Sequence, residues 1–219
     1  MKYSIIIPCY NAPEEIFRRC LDSIKNQTLQ PYEVICIDDA SPINTPQIAK
    51  EYGFTYIRHK ENLNNGGARN TGIRAATGDY LVFVNSDDYI LPETLEEIDK
   101  VNKGQDLILI GFRAFGGYDF IGIPSEDNTP NISKYDWNGE PLHVCKRQFI
   151  LDNNLFEEEH KIYADVEWAK KVEQTQKSYT YVSKALYQFQ TGLDFSLTQR
   201  LFRGEVNDRA GKHNLHFIY

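Results

Sequence analysis

The chain is 219 residues long and carries 24 Lys and Arg against 31 Asp and Glu, a formal charge of −7. A chain of this length buries roughly 70% of its unfolded surface, so it needs no disulfide or metal staple. Its 41% hydrophobic and 25% charged residues exclude collagen-like, disordered and membrane-spanning classes, and the acidic balance argues against a nucleic-acid partner.

Residues 3–7 form a nearly continuous β-branched run that reads as a buried strand. Asn11 and Glu14 have the spacing of a capping box, with Pro13 in the opening turn. Ile16, Phe17, Cys20, Leu21 and Ile24 then recur at helical spacing. Further buried strands are predicted over 34–37, 54–57, 80–84 and 107–110. Between them fall a short helix over 68–76, ended by Thr77 and Gly78, and a helix opened by Pro92 and Glu93. Residues 113–136 are rich in Gly, Pro, Asn and Asp and read as a long irregular segment. Helices are expected over 142–151 and 164–172, strands over 179–182 and 186–189, and a last helix around 197–202.

This alternation predicts an α/β fold with a mostly parallel central sheet and helices on both faces. One domain is expected over 1–219, its halves 1–112 and 113–219 sharing the sheet. Right-handed crossovers set the strand C-termini along one edge, where open α/β sheets bind ligands. Cys9, Cys20, Cys36 and Cys145 have no CxxC spacing and read as buried, reduced thiols of a cytoplasmic protein. The apolar run at the N-terminus is too short for a signal peptide, and no stretch approaches the roughly 20 apolar residues of a membrane helix.

Three polar clusters follow strands: Pro8-Cys9-Tyr10-Asn11, Asp38-Asp39-Ala40-Ser41 and Asn85-Ser86-Asp87-Asp88. On one sheet edge they make an acidic crevice, although a single Asp after a strand is more often a turn or cap residue. Two acidic pairs repel, and a divalent cation relieves that repulsion while keeping positions free for phosphate oxygens. The expected site is therefore a metal–diphosphate one. Residues 64–72, Gly-rich and lacking GxGxxG and GxxxxGK[ST], read as a loop in which Arg69 faces a phosphate or base carbonyl.

The motifs Ser4-Ile5-Ile6-Ile7-Pro8-Cys9-Tyr10-Asn11, Ile37-Asp38-Asp39-Ala40-Ser41, Ala68-Arg69-Asn70-Thr71-Gly72 and Gly78-Asp79-Tyr80, leading to Asn85-Ser86-Asp87-Asp88, resemble glycosyltransferase family 2. A looser likeness continues through Asn153-Asn154-Leu155-Phe156 and Tyr163-Ala164-Asp165-Val166-Glu167. The resemblance implies a Rossmann-like GT-A fold and an inverting transferase that moves one sugar from a nucleotide-sugar donor to a saccharide or lipid-linked acceptor. It implies that Pro8, Tyr10, Asn11 and Asp39 line the nucleoside pocket, with Arg69, Asn85 and Ser86 beside it. By the same resemblance Asp87 holds Mg2+ or Mn2+, and Asp165 is the general base. An acid in the first turn of a helix is also what the macrodipole favours on structural grounds alone.

This sequence departs from the family pattern at Asn85, first position of the DxD-like motif, and at Ala164, before the base. Gln199-Arg200 is followed by Leu201, so the QxxRW of processive relatives is missing and single-sugar transfer is expected. The pathway implied is surface polysaccharide or glycoconjugate synthesis, with room for peripheral contact at the inner membrane face. Two rival readings are a non-catalytic nucleotide-sugar binder or partner subunit, and a phosphoacceptor signalling domain. Tyr118, Phe120, Tyr135 and Trp137 are candidates to stack on an acceptor sugar.

Overall fold

The computed structural model describes residues 1–117, 119–126, 142–160 and 164–193. Its first half alternates β1 (Tyr3–Cys9), α1 (Glu14–Lys25), β2 (Glu33–Asp38), a 3-10 helix (Thr45–Tyr52), β3 (Thr55–Arg58), α2 (Asn64–Ala75) and β4 (Tyr80–Phe83). There follow β5 (Tyr89–Ile90), α3 (Thr94–Val101), β6 (Leu107–Phe115) and β7 (Phe120–Gly122). The described chain closes with β8 (His143–Lys146), α4 (Arg147–Asp152), α5 (Ala164–Thr175) and β9 (Tyr179–Gln190).

All the strands among the described residues join one mixed sheet in the order β3-β2-β1-β4-β8-β6-β9-β5, with β7 on β6. The first four sheet positions are parallel, β8 is antiparallel to both its neighbours, and β6 and β9 are parallel to each other. Side-chain alternation explains why the strands read as unbroken apolar runs. Ile5 and Ile7 face one core with Phe17 and Leu21 of α1 and Ile98 of α3. Ile6 faces the other, with Ile73 of α2 and Trp168 and Val172 of α5. Both faces of β1, β2 and β4 are thus buried, as a helix-covered sheet demands, whereas the outer strand β3 is not.

The α/β architecture with helices on both faces agrees with the sequence reading, and the four cysteines are buried and free. Several elements differ. Asn11 does not cap α1: the helix starts after Pro13, with no side-chain cap. Asn11 instead takes a left-handed backbone (φ 54°) and donates its N–H to Ser41 Oγ at 3.0 Å. Residues 64–67 are not a loop but the first turn of α2. Glycine is needed there because a Cβ on Gly66 would lie 2.7 Å from the Glu158 carbonyl oxygen.

The helix expected over 142–151 is β8 followed by α4. Its Val144 and Cys145 alternate between the two cores, the period of a strand and not of a helix. Residues 179–190 form one strand, which carries its extra residues Ser183, Lys184 and Leu186 as register shifts on either side of Gly111 of β6. The segment read as irregular contains β7, and residues 197–202 lie outside the described residues.

Candidate active site

The C-terminal ends of β1 and β2 are laced together. Asp39 N–H donates to Cys9 O at 2.9 Å, beside the left-handed Asn11 and Ala40. Pro8 is buried in β1, whereas Tyr10 is one of the exposed large side chains. The two acids of this turn have separate tasks. Asp38 is spent internally: its carboxylate takes the Ser41 N–H at 2.8 Å, the Tyr56 hydroxyl at 2.6 Å, and an ion pair with Arg58. Asp39 Oδ1 meets His59 Nδ1 at 2.8 Å and the Leu63 N–H at 2.9 Å. Burial raises the Asp39 carboxyl above its usual range, with those hydrogen bonds opposing.

The turn after β4 divides its acids in the opposite order. Asp88 is fully buried and saturated by the Tyr187 hydroxyl at 2.6 Å, Asn85 Nδ2 at 3.1 Å and the Gln190 N–H at 2.8 Å. Burial first, and the Asp87 charge second, push its carboxyl well above the usual value. Asp87 is partly exposed, and among the described residues no other side chain hydrogen-bonds its carboxylate. Burial raises it too, while Arg19 and Arg69 pull it down. Arg19 donates to the Asp87 carbonyl oxygen at 2.9 Å, bonds the Gln190 side chain, and lies 5.0 Å from the Tyr89 ring centre. It thereby braces this turn against α1 and β9.

Asn85 is a bridge. Its Oδ1 accepts from Arg69 at 2.9 Å while its Nδ2 donates to Asp88, an arrangement an Asp could not supply. Arg69 is buried, with its other nitrogen 3.5 Å from both Glu157 carboxylate oxygens. Asn70 closes a two-way clamp on the Glu157 backbone, 2.9 Å each way. The expected phosphate-facing Arg69 is therefore an internal brace that reaches the site through Asn85. Ser86 is nearly buried in the turn after β4.

Asp165 stands in the first turn of α5, partly exposed, one turn before Trp168. Trp168 packs edge-on to Phe83, two residues before Asn85, with ring centres 5.6 Å apart, and donates to Leu155 O at 2.9 Å. That packing ties the start of α5 to the end of β4. Among the described residues no hydrogen bond joins Asp165 to Asp39 or Asp87. Phe120 is 54% exposed beside Phe112; Tyr118, Tyr135 and Trp137 lie outside the described residues.

A metal would find Asp87 as its protein ligand here. No group of three or more His, Cys, Asp or Glu side chains gathers for an ion among the described residues. One carboxylate completed by diphosphate oxygens and water suits Mg2+ or Mn2+, which are held by few protein ligands. The sequence reading overlooked His59, Glu157, Arg19 and Tyr187. His59 directly follows β3, so the strand-end rule applied to β1, β2 and β4 also reaches it.

This strand order and strand-end site define a GT-A-type sugar-transferase fold. The profile described as Glycosyl transferase family 2 matches residues 4–209, and the chain belongs to that family. A poly(ribitol-phosphate) beta-glucosyltransferase from Bacillus spizizenii is 43% identical over 71% of this chain and 26% of its own length. The uncharacterized glycosyltransferase YibD of Escherichia coli is 30% identical over 86% of this chain and 61% of its own. Among solved structures, Staphylococcus aureus TarS residues 1–349 in complex with UDP-GlcNAc match with a TM-score of 0.77 and 26% identity, over 88% of this chain and 59% of that one. The chain thus spans less than two thirds of these relatives. No described helix is long and apolar enough to cross a membrane.

Proposed function

We propose that this protein is an inverting glycosyltransferase that moves one sugar from a UDP-linked donor to an acceptor hydroxyl in surface polysaccharide synthesis, with residues 1–219 forming one catalytic unit. The observation that carries this reading is the division of labour at two strand ends. Asp38 and Asp88 are consumed by internal bonds, while Asp39 and Asp87 keep acceptor capacity on the edge where such sheets bind ligands. The uridine donor rests on the likeness to TarS, whose structure holds UDP-GlcNAc. The polymer acceptor rests on the poly(ribitol-phosphate) relative.

In this reading Asp39 accepts from the base, Pro8, Tyr10 and Asn11 flank the nucleoside, and Asn85 and Ser86 adjoin the ribose and diphosphate. Arg69 holds Asn85 in place. Asp87 would hold Mg2+ or Mn2+, which when bound offsets the charge that builds on the departing diphosphate. Asp165 takes the proton of the acceptor hydroxyl as it attacks the face opposite the leaving group, the geometry inversion requires. The cytoplasmic location and peripheral membrane contact expected from the sequence belong to the same proposal.

Transfer from UDP-GlcNAc and UDP-glucose to a poly(ribitol-phosphate) acceptor, with Mn2+, tests this directly. Asp165→Asn is expected to lower turnover by about 10²–10⁴-fold while UDP still binds. Near-wild-type turnover in that variant would remove Asp165 from the base role. Binding of UDP-sugars by the wild type without transfer or hydrolysis would favour the non-catalytic binder.

A further inference from the structure

We propose that His59 is the positioning residue that makes Asp39 select a uracil over a cytosine base. The inference deepens the base-reading role given to Asp39 above and rests on it. Asp39 and His59 are the first residues beyond β2 and β3, whose ladder ends at the Asp38–Arg58 pair. The His59 N–H fastens to Asp38 O at 2.9 Å, so its ring is delivered beside the Asp39 carboxylate by the backbone. Both side chains are almost enclosed, 10% and 4% exposed.

The chemistry of the contact fixes the tautomer. An ionised carboxylate only accepts, so the 2.8 Å contact requires the proton on Nδ1. At the far side of the ring Nε2 lies 2.9 Å from Thr71 Oγ1, whose hydroxyl also reaches Gly67 O at 3.1 Å. For neutral His59 the hydroxyl donates to Nε2; for the imidazolium it accepts from Nε2–H and donates to Gly67 O. In either state Nδ1–H points at Asp39. With the Leu63 N–H on the same oxygen, the carboxylate is pinned in orientation while acceptor capacity remains for an incoming N–H.

Uracil offers N3–H to such an acceptor, and cytosine presents a bare N3 that the carboxylate repels. Burial favours the protonated carboxyl of Asp39, and the donors from Leu63 and His59 oppose that. Without His59 the carboxyl shifts toward the protonated form, which donates to cytosine N3 and loses the contrast between the bases.

Calorimetric binding of UDP and of CDP, each with Mn2+, to the wild type and to variants of the full chain tests this. The wild type is expected to prefer UDP, and Asp39→Asn to lose the preference. His59→Leu is expected to weaken UDP by about 10–100-fold and leave CDP unchanged or tighter. His59→Asn, whose Nδ2 occupies the place of Nδ1, restores most of the UDP preference. A merely structural role would weaken both nucleotides alike. A UDP-to-CDP ratio unchanged in His59→Leu, with the ratio lost in Asp39→Asn, overturns the inference alone. A wild type that binds both equally overturns the base-reading role of Asp39 and this inference with it. Where His59→Leu does not fold, Thr71→Val, which frees the ring from its anchor, decides: a lowered ratio supports the inference and an unchanged ratio overturns it.

Discussion

The Tyr187 hydroxyl donates to the Asp88 carboxylate at 2.6 Å, joining β9 to the turn after β4. The same oxygen accepts the Asn85 N–H at 3.1 Å. Burial and the Asp88 charge hold the Tyr187 phenol well above its ordinary range. Tyr187→Phe would leave a buried carboxyl and a backbone N–H each short of a partner, a cost of about 1–3 kcal/mol. Calorimetry should show a melting temperature lower by roughly 2–4 °C for each kcal/mol. A variant that melts with the wild type would show that this hydroxyl adds nothing.

Gly72 is a packing requirement of α2 on β1. A Cβ there would lie 2.4 Å from Ile6 Cγ2 and 3.1 Å from Ile37 Cδ1, both core atoms with no open space to move into. Gly72→Ala is expected to destabilise by about 1–3 kcal/mol despite the better helix propensity of alanine. Gly104→Ala is the control for backbone strain, since its φ is positive and no atom lies within 4 Å. A denaturant midpoint for Gly72→Ala at or above the wild type would refute the close approach.

Stability should fall in acid through Glu33. Burial alone would raise its carboxyl, but the Ser4 hydroxyl at 2.7 Å, the Thr77 N–H at 2.6 Å and hydroxyl at 3.0 Å, and the Gly78 N–H at 3.1 Å hold it below the usual value. The native state therefore keeps this charge where the unfolded chain takes up a proton. The contribution is present above the ordinary glutamate value of about 4.3 and is lost as the pH drops below it through the depressed native one. Glu33→Gln should melt below the wild type at neutral pH, with the gap closing in acid. A gap independent of pH would refute the assignment.

Asp87 and Asp88 should respond to substitution in opposite ways. Asp87→Asn is expected to abolish the extra thermal stabilisation that Mn2+ gives in the presence of UDP, and to lower transfer by about 10²–10³-fold, with the unliganded melting temperature kept. Asp88→Asn should lower the unliganded melting temperature, because Asn85 Nδ2 would then face a second amide. Chelation of the metal from the wild type should mimic Asp87→Asn. An Mn2+-dependent stabilisation with UDP that persists undiminished in Asp87→Asn would separate Asp87 from the ion.

The parts legible in the sequence were those with a strong local period. Residues 3–7 and 80–84 announce two-sided burial by themselves, and Ile16 to Ile24 mark the inner face of α1. The strand His143–Lys146 was hidden because four residues flanked by Leu142 and Phe149 also satisfy a helical spacing; its strand identity comes from insertion between β4 and β6. Gly66 and Gly67 looked like a loop because the crowding that requires them comes partly from Glu157 and Glu158, some ninety positions away. Asp38, Asp39, Asp87 and Asp88 stood out as two pairs, but which member of each is structural depends on Arg58, Tyr56 and Tyr187. No rule of sequence spacing connects those partners.

The Gln190 N–H reaches Asp88 across 102 positions, so the acidic turn leaves the ribosome long before its fastener does. Domains begin to assemble during translation from the N-terminal side. The parallel strands β1 to β4 can therefore gather early, while the loop that offers Asp87 stays unsecured until β9 has been made and threaded beside β6. The turn that bears Asp87 and Asp88 is thus fastened only after β9 has been made, and nascent chains halted before Tyr187 carry β1 to β4 without a finished acidic turn.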